Sequence, residues 1–322
     1  MPPTVIVLLG SLGLDYLLGD PWTWYHPVQA MGAVINVGKG MILRSGSRPW
    51  QQRLEGGALT IGLVLGSYGY AWALIAVATG IHVWLGTVVH IILLASCLGG
   101  RSLRRAAEEV LQPLQQENLE EARQQLSRYV GRDTDSLNAV EICRALVETV
   151  AENTPDGATA PLFFALLGGA PLAFAYKAVS TLDSMVGYRR DPYTYLGTIP
   201  ARTEDVLTWI PARLTVLSLA LMQPDPISFW QACRRDALAD PSPNSGWSEA
   251  AFAHTLGVQL GGLNYYQGIP TVKPLLGRPG RPLDPAVVRD GLHLLRRVTL
   301  IWVGVGVGLR LGFMLWSTSL TQ

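Results

Sequence analysis

The sequence predicts an all-α, polytopic integral membrane protein with four to six membrane-embedded helices and helical cytoplasmic loops. Three observations predict it. Hydrophobic residues make up 49% of the 322 residues and charged ones only 15%, with a mean hydropathy of +0.24, whereas a soluble chain is about a quarter charged. The apolar residues fall in long blocks, which a soluble core would not require. No alternating strand pattern competes with them anywhere.

The first block, 4–18, is short and carries Asp15. It lacks a basic lead and a small-residue cleavage site, so it reads as an uncleaved first membrane segment rather than a signal peptide. The next, 58–79, is twenty-two residues without a charge, long enough to cross the hydrocarbon core as a helix. Its Gly62 and Gly66 form a GxxxG pair that would let a neighbouring helix approach closely. Block 81–98 follows with almost no linker and contains His82 and His90, so the two predict a helical hairpin across the bilayer. Block 157–176 is interrupted by Pro161, Gly168-Gly169 and Pro171, and block 206–222 by Pro211 and Arg213. Broken helices are tolerated at membrane depth where protein or water surrounds them, so both either cross or dip in and return. The last block, 298–316, holds Gly304, Gly306 and Gly308, spaced for close helix packing rather than for a nucleotide loop.

The three cysteines, Cys97, Cys143 and Cys233, are far apart and odd in number, which argues for small apolar fillers over disulfides or a zinc site. The net charge of +1 gives no pull toward nucleic acid. Arginines and lysines are nonetheless concentrated in 19–57, 99–156 and 223–297. By the positive-inside rule these loops are cytoplasmic and the N-terminus is outside. A cell (inner or plasma) membrane location follows, with 1–322 read as one membrane-embedded domain.

The loops are structured. Leu103–Tyr129 reads as a surface helix or a helix pair broken near Pro113, with Arg104/Glu108 and Arg105/Glu109 at supporting spacing. A second helix runs from about Ser136 to Asn153, capped by Thr134 or Asp135. Its Val140, Cys143, Val147 and Val150 form an apolar stripe, and Glu141, Arg144, Glu148 and Glu152 lie on another face. Asp225-Pro226 starts a helix ending before Pro241. Pro270–Pro285 reads as an ordered irregular loop.

Five polar clusters border the apolar blocks. The first runs from Asp15 through Asp20-Pro21 to His26-Pro27; a capped turn and a surface histidine would also account for it. The second is Arg132-Asp133-Thr134 with Glu148, Glu152, Asn153 and Asp156. Glu148 and Glu152 are four apart and repel on one helical face, which suits paired oxygen ligands for Mg²⁺; a solvated acidic face paired with Arg144 is the plain alternative. The third contains Lys177, Asp183, Ser184 and Tyr188, costly at an apolar border unless paired. The fourth places Arg213 in an apolar run after Glu204-Asp205, where it needs a carboxylate or phosphate partner, or snorkels. The fifth, Ser242-Pro243-Asn244, is turn chemistry leading into a helix whose first amides would favour a phosphate. The Walker-like string Gly32–Gly40 has the wrong spacing and Gly40 where Ser or Thr is required.

In this order the clusters resemble one family. Its signature is visible in Leu126–Thr134 (LSRYVGRDT), Val150–Asn153 with Asp156, Thr181–Tyr188 (TLDSMVGY), Pro211–Thr215 (PARLT) and Ser242-Pro243-Asn244. The family is CobD/CbiB, the adenosylcobinamide-phosphate synthases of cobalamin biosynthesis, and the resemblance extends from Asp15 to about Gly268. Ser180, Thr208 and Asp240-Pro241 depart from the family pattern.

The resemblance implies an amide ligation joining the carboxylate of adenosylcobyric acid to the amine of aminopropanol phosphate, with ATP and Mg²⁺. It implies Glu152, Asp156 and Asp183 as metal ligands. Arg132, Arg213 and Lys177 fall to phosphate, and Asp20, Asp133, Asn153, Ser184, Tyr188, Ser242 and Asn244 to the wider substrate-binding set. His26 or Glu148 would take the proton from the amine, with Lys177 and Asp183 also at the reacting centre. The lipid bilayer is a partner, nucleic acid is not, and homo-oligomers are compatible with this reading. The alternative is a non-catalytic membrane signalling or transport relative, which would show no corrinoid-dependent ATP consumption.

Overall fold

The computed structural model describes residues 4–17, 27–188 and 190–319. In order these form α1 (Thr4–Leu17), α2 (Pro27–Arg44), α3 (Pro49–Ile81), α4 (Val83–Ala95), α5 (Gly100–Gln115), α6 (Leu119–Leu126) and α7 (Ala139–Thr154). A π-helical turn (Pro155–Thr159) leads into α8 (Ala160–Val186), α9 (Thr198–Leu207), α10 (Trp209–Ala220), α11 (Pro226–Ala237) and α12 (Ser245–Leu256). Strands β1 (Gln259–Tyr266) and β2 (Ile269–Gly277) precede α13 (Pro285–Ser319). The fold is predominantly α-helical and membrane-like, as predicted. Two compact units divide it. One comprises Met1–Gly99, Ala160–Thr208 and Ile301–Gln322; the other comprises Gly100–Thr159 and Trp209–Leu300.

The first unit is built on α3, α4 and α8. His82, in extended conformation, separates α3 from α4, and its Nδ1 accepts from the Trp84 amide (3.2 Å), so one residue both ends a helix and caps the next. Leu63 and Ala71 of α3, Leu93 and Leu94 of α4, and Phe174 and Leu182 of α8 share a core. Outside that core the same helices expose Ile61, Leu65, Trp72, Val77, Trp84 and Val88. Only 22% of the most apolar stretch of α3 is buried within the chain. Leaving such side chains in water costs about 1.5–3 kcal/mol each, so hydrocarbon is their medium.

Three stretches, Pro49–Ile81, Ala139–Val186 and Pro285–Met314, are long and apolar enough to cross a membrane, and α4 with α5, bent by 40°, makes up to a fourth. The 206–222 block is cut at Thr208, leaving α10 only 12 residues. At about 1.5 Å per residue it is shorter than the roughly 30 Å hydrocarbon thickness. Block 157–176 is broken as expected: within α8, Gly168 has φ −145° and Gly169 φ 71° with ψ −169°, followed by Pro171.

Two glycine expectations are corrected. Gly62 and Gly66 are exposed with nothing near where a Cβ would stand. The close approach is instead at Gly56 and Gly57, against the Leu196 carbonyl and Ile199. Of Gly304, Gly306 and Gly308, only Gly306 is packed, against Leu166 and Leu8.

The second unit packs α7, α10 and α11 around α12, whose Ala250, Ala251, Phe252 and Ala253 are fully buried. Three expectations change here, and the expected break near Pro113 is located. Helix α7 is capped by Asn138, whose Oδ1 accepts from the Glu141 amide (3.0 Å) while Glu141 accepts from the Asn138 amide (2.8 Å). This capping box starts the helix at Ala139, beyond Thr134 and Asp135. Val140, in the first turn, is exposed, so the buried stripe begins at Ile142 and Cys143. Helix α5 runs through Pro113; the break comes after it, where the Pro113 carbonyl accepts from Gln116 (3.1 Å) and Asn118 (2.9 Å) and Glu117 takes φ 59°. Proline disturbs the turn before it more than the one after it.

The third change is a β-hairpin where no strand was expected, covering part of the presumed irregular loop. Strands β1 and β2 pair antiparallel, with Leu263 opposite Val272 and Tyr266 opposite Ile269. Gln267 (φ 53°) and Gly268 (φ 76°) make the two-residue turn with both φ positive, which matches strand twist. Gly261-Gly262 in β1, at a bulge, and Pro270 and Pro274 in β2 hide the alternation.

Candidate functional site

The hairpin is fastened to α7 by the second predicted cluster. The Asp133 carboxylate accepts from the amides of Gln267 (2.9 Å) and Gly268 (2.7 Å), and the Asp133 amide donates to the Tyr265 carbonyl (2.8 Å). Arg132, itself buried, donates to Asn264 Oδ1 (2.8 Å) and to the buried Glu148. Glu148 Oε1 also accepts from the Gly261 amide (2.8 Å). Arg144 donates to the Gly261 carbonyl and to the carbonyl of Leu263 (3.2 Å), not to an acidic helix face. Each buried charge is thereby matched and hydrogen-bonded, the condition for tolerating it.

Beyond this latch lies an acid-rich region. Glu249 of α12 is 1% exposed, and its Oε1 stands 3.9 Å from Lys273 Nζ of β2. Burial pushes Glu249 well above the ordinary carboxylate range; Lys273 opposes that shift, while Glu152, Glu148 and Asp240 add to it. Burial works to lower Lys273, but Glu249, Glu152 and Glu148 outweigh it and hold the ammonium proton more tightly than usual. Glu152 keeps access to solvent while electrostatically coupled to Lys273, Asp156, Glu148 and Arg132. Five carboxylates thus face two cations.

The fourth and fifth predicted clusters meet at the start of α12. Arg213 donates to Asn244 Oδ1 (2.9 Å), and its guanidinium lies between the rings of Trp209 (4.4 Å) and Trp247 (4.7 Å). Two aromatic faces fix the plane of a group suited to bidentate phosphate contact. Ser242 Oγ accepts from the amides of Asn244 (3.3 Å) and Ser245 (3.2 Å), and Asp240 from the Ser242 amide (2.8 Å). Gly246 lets the chain pass against Asp240, where a Cβ would collide.

Other predicted residues have partners within their own helices. Asn153 donates back to the Thr149 carbonyl of its own helix (2.8 Å). Lys177, Asp183, Ser184 and Tyr188 belong to the first unit. Along α8, Thr181 bonds back to the Lys177 carbonyl (2.7 Å) and Ser184 to that of Thr181 (2.8 Å). The Gly187 amide donates to the Asp183 carbonyl (2.7 Å), and a Cβ on Gly187 would strike the Asp183 carboxylate. Asp20 and His26 lie outside the described residues. Glu249, Lys273 and Asn264 were not singled out by sequence. The one available signal was Glu249 itself, a charge inside the run Trp247–Phe252.

A protein-family model described as CobD/Cbib protein matches residues 8–295. The chain belongs to the CobD/CbiB family. It is 50% identical over 303 residues to the cobalamin biosynthesis protein CobD of Synechocystis sp., covering 92% of this chain and 89% of that one. The cobalamin biosynthesis protein CbiB of Salmonella choleraesuis is 44% identical over 302 residues, covering 92% and 93%. CobD of Klebsiella pneumoniae gives the same identity and coverage. No solved structure matches the chain. Membership in the CobD/CbiB family agrees with the resemblance carried by the five clusters.

Proposed function

We propose that this CobD/CbiB member acts in cobalamin biosynthesis as an adenosylcobinamide-phosphate synthase. In this reading it joins the carboxylate of adenosylcobyric acid to the amine of aminopropanol phosphate, in a cell membrane, with its site on the cytoplasmic side. The observation that carries the reading is the presence, on one helix, of an anion corner and a buried acid amid further carboxylates. Arg213 and Asn244 stand at the start of α12, and Glu249 follows on the same helix.

Among the described residues no three His, Cys, Asp or Glu side chains are close enough to hold a metal ion unaided. Mg²⁺ on phosphate needs only one or two carboxylates, with water and phosphate oxygens completing its shell. Glu152 and Asp156, four residues apart where α7 passes into the π-helical turn, fit that requirement. ATP with Mg²⁺, when bound, supplies the activation that turns a carboxylate into an acyl donor.

The chain's own part is binding and orientation. The clamped Arg213 guanidinium, Asn244 and the Ser242 loop hold phosphate. Arg132, Asp133 and Glu148 are positioning residues here, because their charges are spent on the hairpin that carries Lys273.

The test is complementation of a cobalamin auxotroph lacking the synthase. Wild type should restore growth without added vitamin; Asp183→Asn and Arg213→Ala should not. Purified protein should form a corrinoid amide only with ATP and the amine present. Corrinoid-independent behaviour, with no amide product, would remove the reading.

A further inference from the structure

Helix α3 carries a lipid-facing stripe with a tryptophan at each end. Trp50, Leu54, Ile61, Leu65, Tyr68 and Trp72 are all exposed, and at 3.6 residues per turn they fall within about 60° of one another around the axis. Trp50 and Trp72 stand about 33 Å apart along it, close to the roughly 30 Å hydrocarbon thickness. Tryptophans favour the two membrane–water interfaces, so Trp50 marks headgroup level at the start of α3. The chain around it is basic. Pro27–Gly57 holds Lys39, Arg44, Arg48 and Arg53 against the single acid Glu55, and Glu55 accepts from the Ser47 hydroxyl (2.9 Å). Two of these cations are held in place. Lys39 Nζ of α2 lies 5.7 Å from the centre of the Tyr193 ring, and the Arg53 guanidinium of α3 lies 5.3 Å from that of Tyr195. The segment bearing both rings packs closely on α3: a Cβ on Gly56 would strike the Leu196 carbonyl, and one on Gly57 would crowd Ile199. Among the described residues neither cation has a carboxylate partner. An aromatic face attracts a cation without consuming its N–H donors.

We propose that Lys39 and Arg53 bind the phosphodiester of an anionic phospholipid, whose acyl chains lie along the Trp50–Leu54 side of α3. Charge selects the headgroup. Each Lys or Arg at an anionic bilayer surface favours association by about five-fold, whereas a zwitterionic headgroup adds a cation that these residues repel. Depth selects a lipid over a soluble anion. Trp50 and Leu54 are 56% and 60% exposed and give acyl chains an apolar wall that a free phosphate would leave bare. Arg53 lies within one turn of Trp50, so its long stem can follow that wall while the guanidinium stays at the interface. Tyr193 and Tyr195 fix the two cations from the opposite side, which separates this site from a loose fringe of basic residues. The site lies wholly within the first unit and is independent of the ligation chemistry proposed above.

The test is thermal unfolding of the full chain in a neutral detergent with four separate additions. These are a phosphatidylglycerol, the phosphatidylcholine with the same acyl chains, inorganic phosphate and a poly-glutamate peptide. Wild type should melt about 2–4 °C higher with phosphatidylglycerol than with phosphatidylcholine. Lys39→Gln combined with Arg53→Gln should abolish that difference, and Lys39→Arg combined with Arg53→Lys should keep most of it. If the Gln pair does not fold, Arg53→Gln alone, at an exposed position, should reduce the difference by about half. Arg234→Gln, exposed on the second unit, should leave it intact. Equal melting of wild type with the two lipids overturns the proposal. So does a difference that survives the Gln variants, which would put the lipid elsewhere. An equal shift with inorganic phosphate would reveal an anion site that needs no lipid, and one with poly-glutamate a surface for an acidic protein; either overturns the lipid assignment.

Discussion

Asp133 accepts two amides at the tip of the β1–β2 hairpin, a role invisible in the string Arg132-Asp133-Thr134. Both amides are exposed and water can replace the lost acceptor, so Asp133→Ala should cost the net value of the bonds, about 0.5–1.5 kcal/mol. Asp133→Asn, which keeps one acceptor oxygen, should cost less. Thermal unfolding in detergent and proteolysis at the hairpin check this, and an unchanged melting temperature for the Ala variant would refute it. Glu109 supplies a pH test. Hydrogen bonds from Tyr129 and Arg105 hold its carboxyl below the ordinary range. A depressed folded-state value stabilises the fold above the ordinary carboxylate pKa, and that gain is lost as pH falls through the depressed value. The melting-temperature gap between wild type and Tyr129→Phe should therefore be full at neutral pH and shrink on acidification. A gap independent of pH would show that the hydrogen bond is not its source.

At the scale of elements, the break in α8 and the hairpin show opposite limits of local chemistry. Gly168-Gly169-Pro171 announces a broken helix, and the break forms there. Gly169, at φ 71° and ψ −169°, occupies a region essentially reserved for glycine, where strain costs about 1–3 kcal/mol. Gly169→Ala should destabilise by about that amount, and its Cβ would also crowd His90 Nε2 at 3.2 Å. Gly62→Ala, exposed with nothing near, should be close to neutral or slightly stabilising. Equal effects of the two, measured by thermal unfolding, would mean that the conformation at Gly169 is not the constraint. The hairpin had the reverse history: its glycines and prolines read as irregular, yet Asp133, Arg132, Arg144 and Glu148 supply the bonds that order it.

Across the whole molecule, the exposed apolar faces of α3 and α4 demand hydrocarbon, while the second unit ties Arg132, Asp133, Arg144 and Glu148 into one hydrogen-bonded network. Leu65, mid-way along α3 and 66% exposed, should face lipid. Leu65→Lys should therefore cost about 2.5–3.5 kcal/mol on insertion, read as loss of membrane-integrated protein on fractionation. Leu238→Lys, equally exposed at 69% but on the second unit, should change stability by less than about 0.5 kcal/mol. Equal tolerance of both would argue that α3 is not lipid-facing.

Much of this protein follows from the linear order of its residues. Blocks of twenty apolar residues must be helices in lipid, because every backbone polar group has to be satisfied within the segment; that physics needs no partner. Ser242-Pro243-Asn244 and Arg213 were likewise legible as polar groups in costly surroundings, and the fold brings them together. Glu249, Lys273 and the hairpin were not legible. Their character depends on neighbours more than a hundred residues distant, as Gly261 depends on Glu148, or on burial within α12. A glutamate in a short apolar run looks like an ordinary exposed charge until packing removes its water. Only tertiary structure decides which charge is left without a partner, because desolvation and pairing are properties of three-dimensional surroundings rather than of sequence.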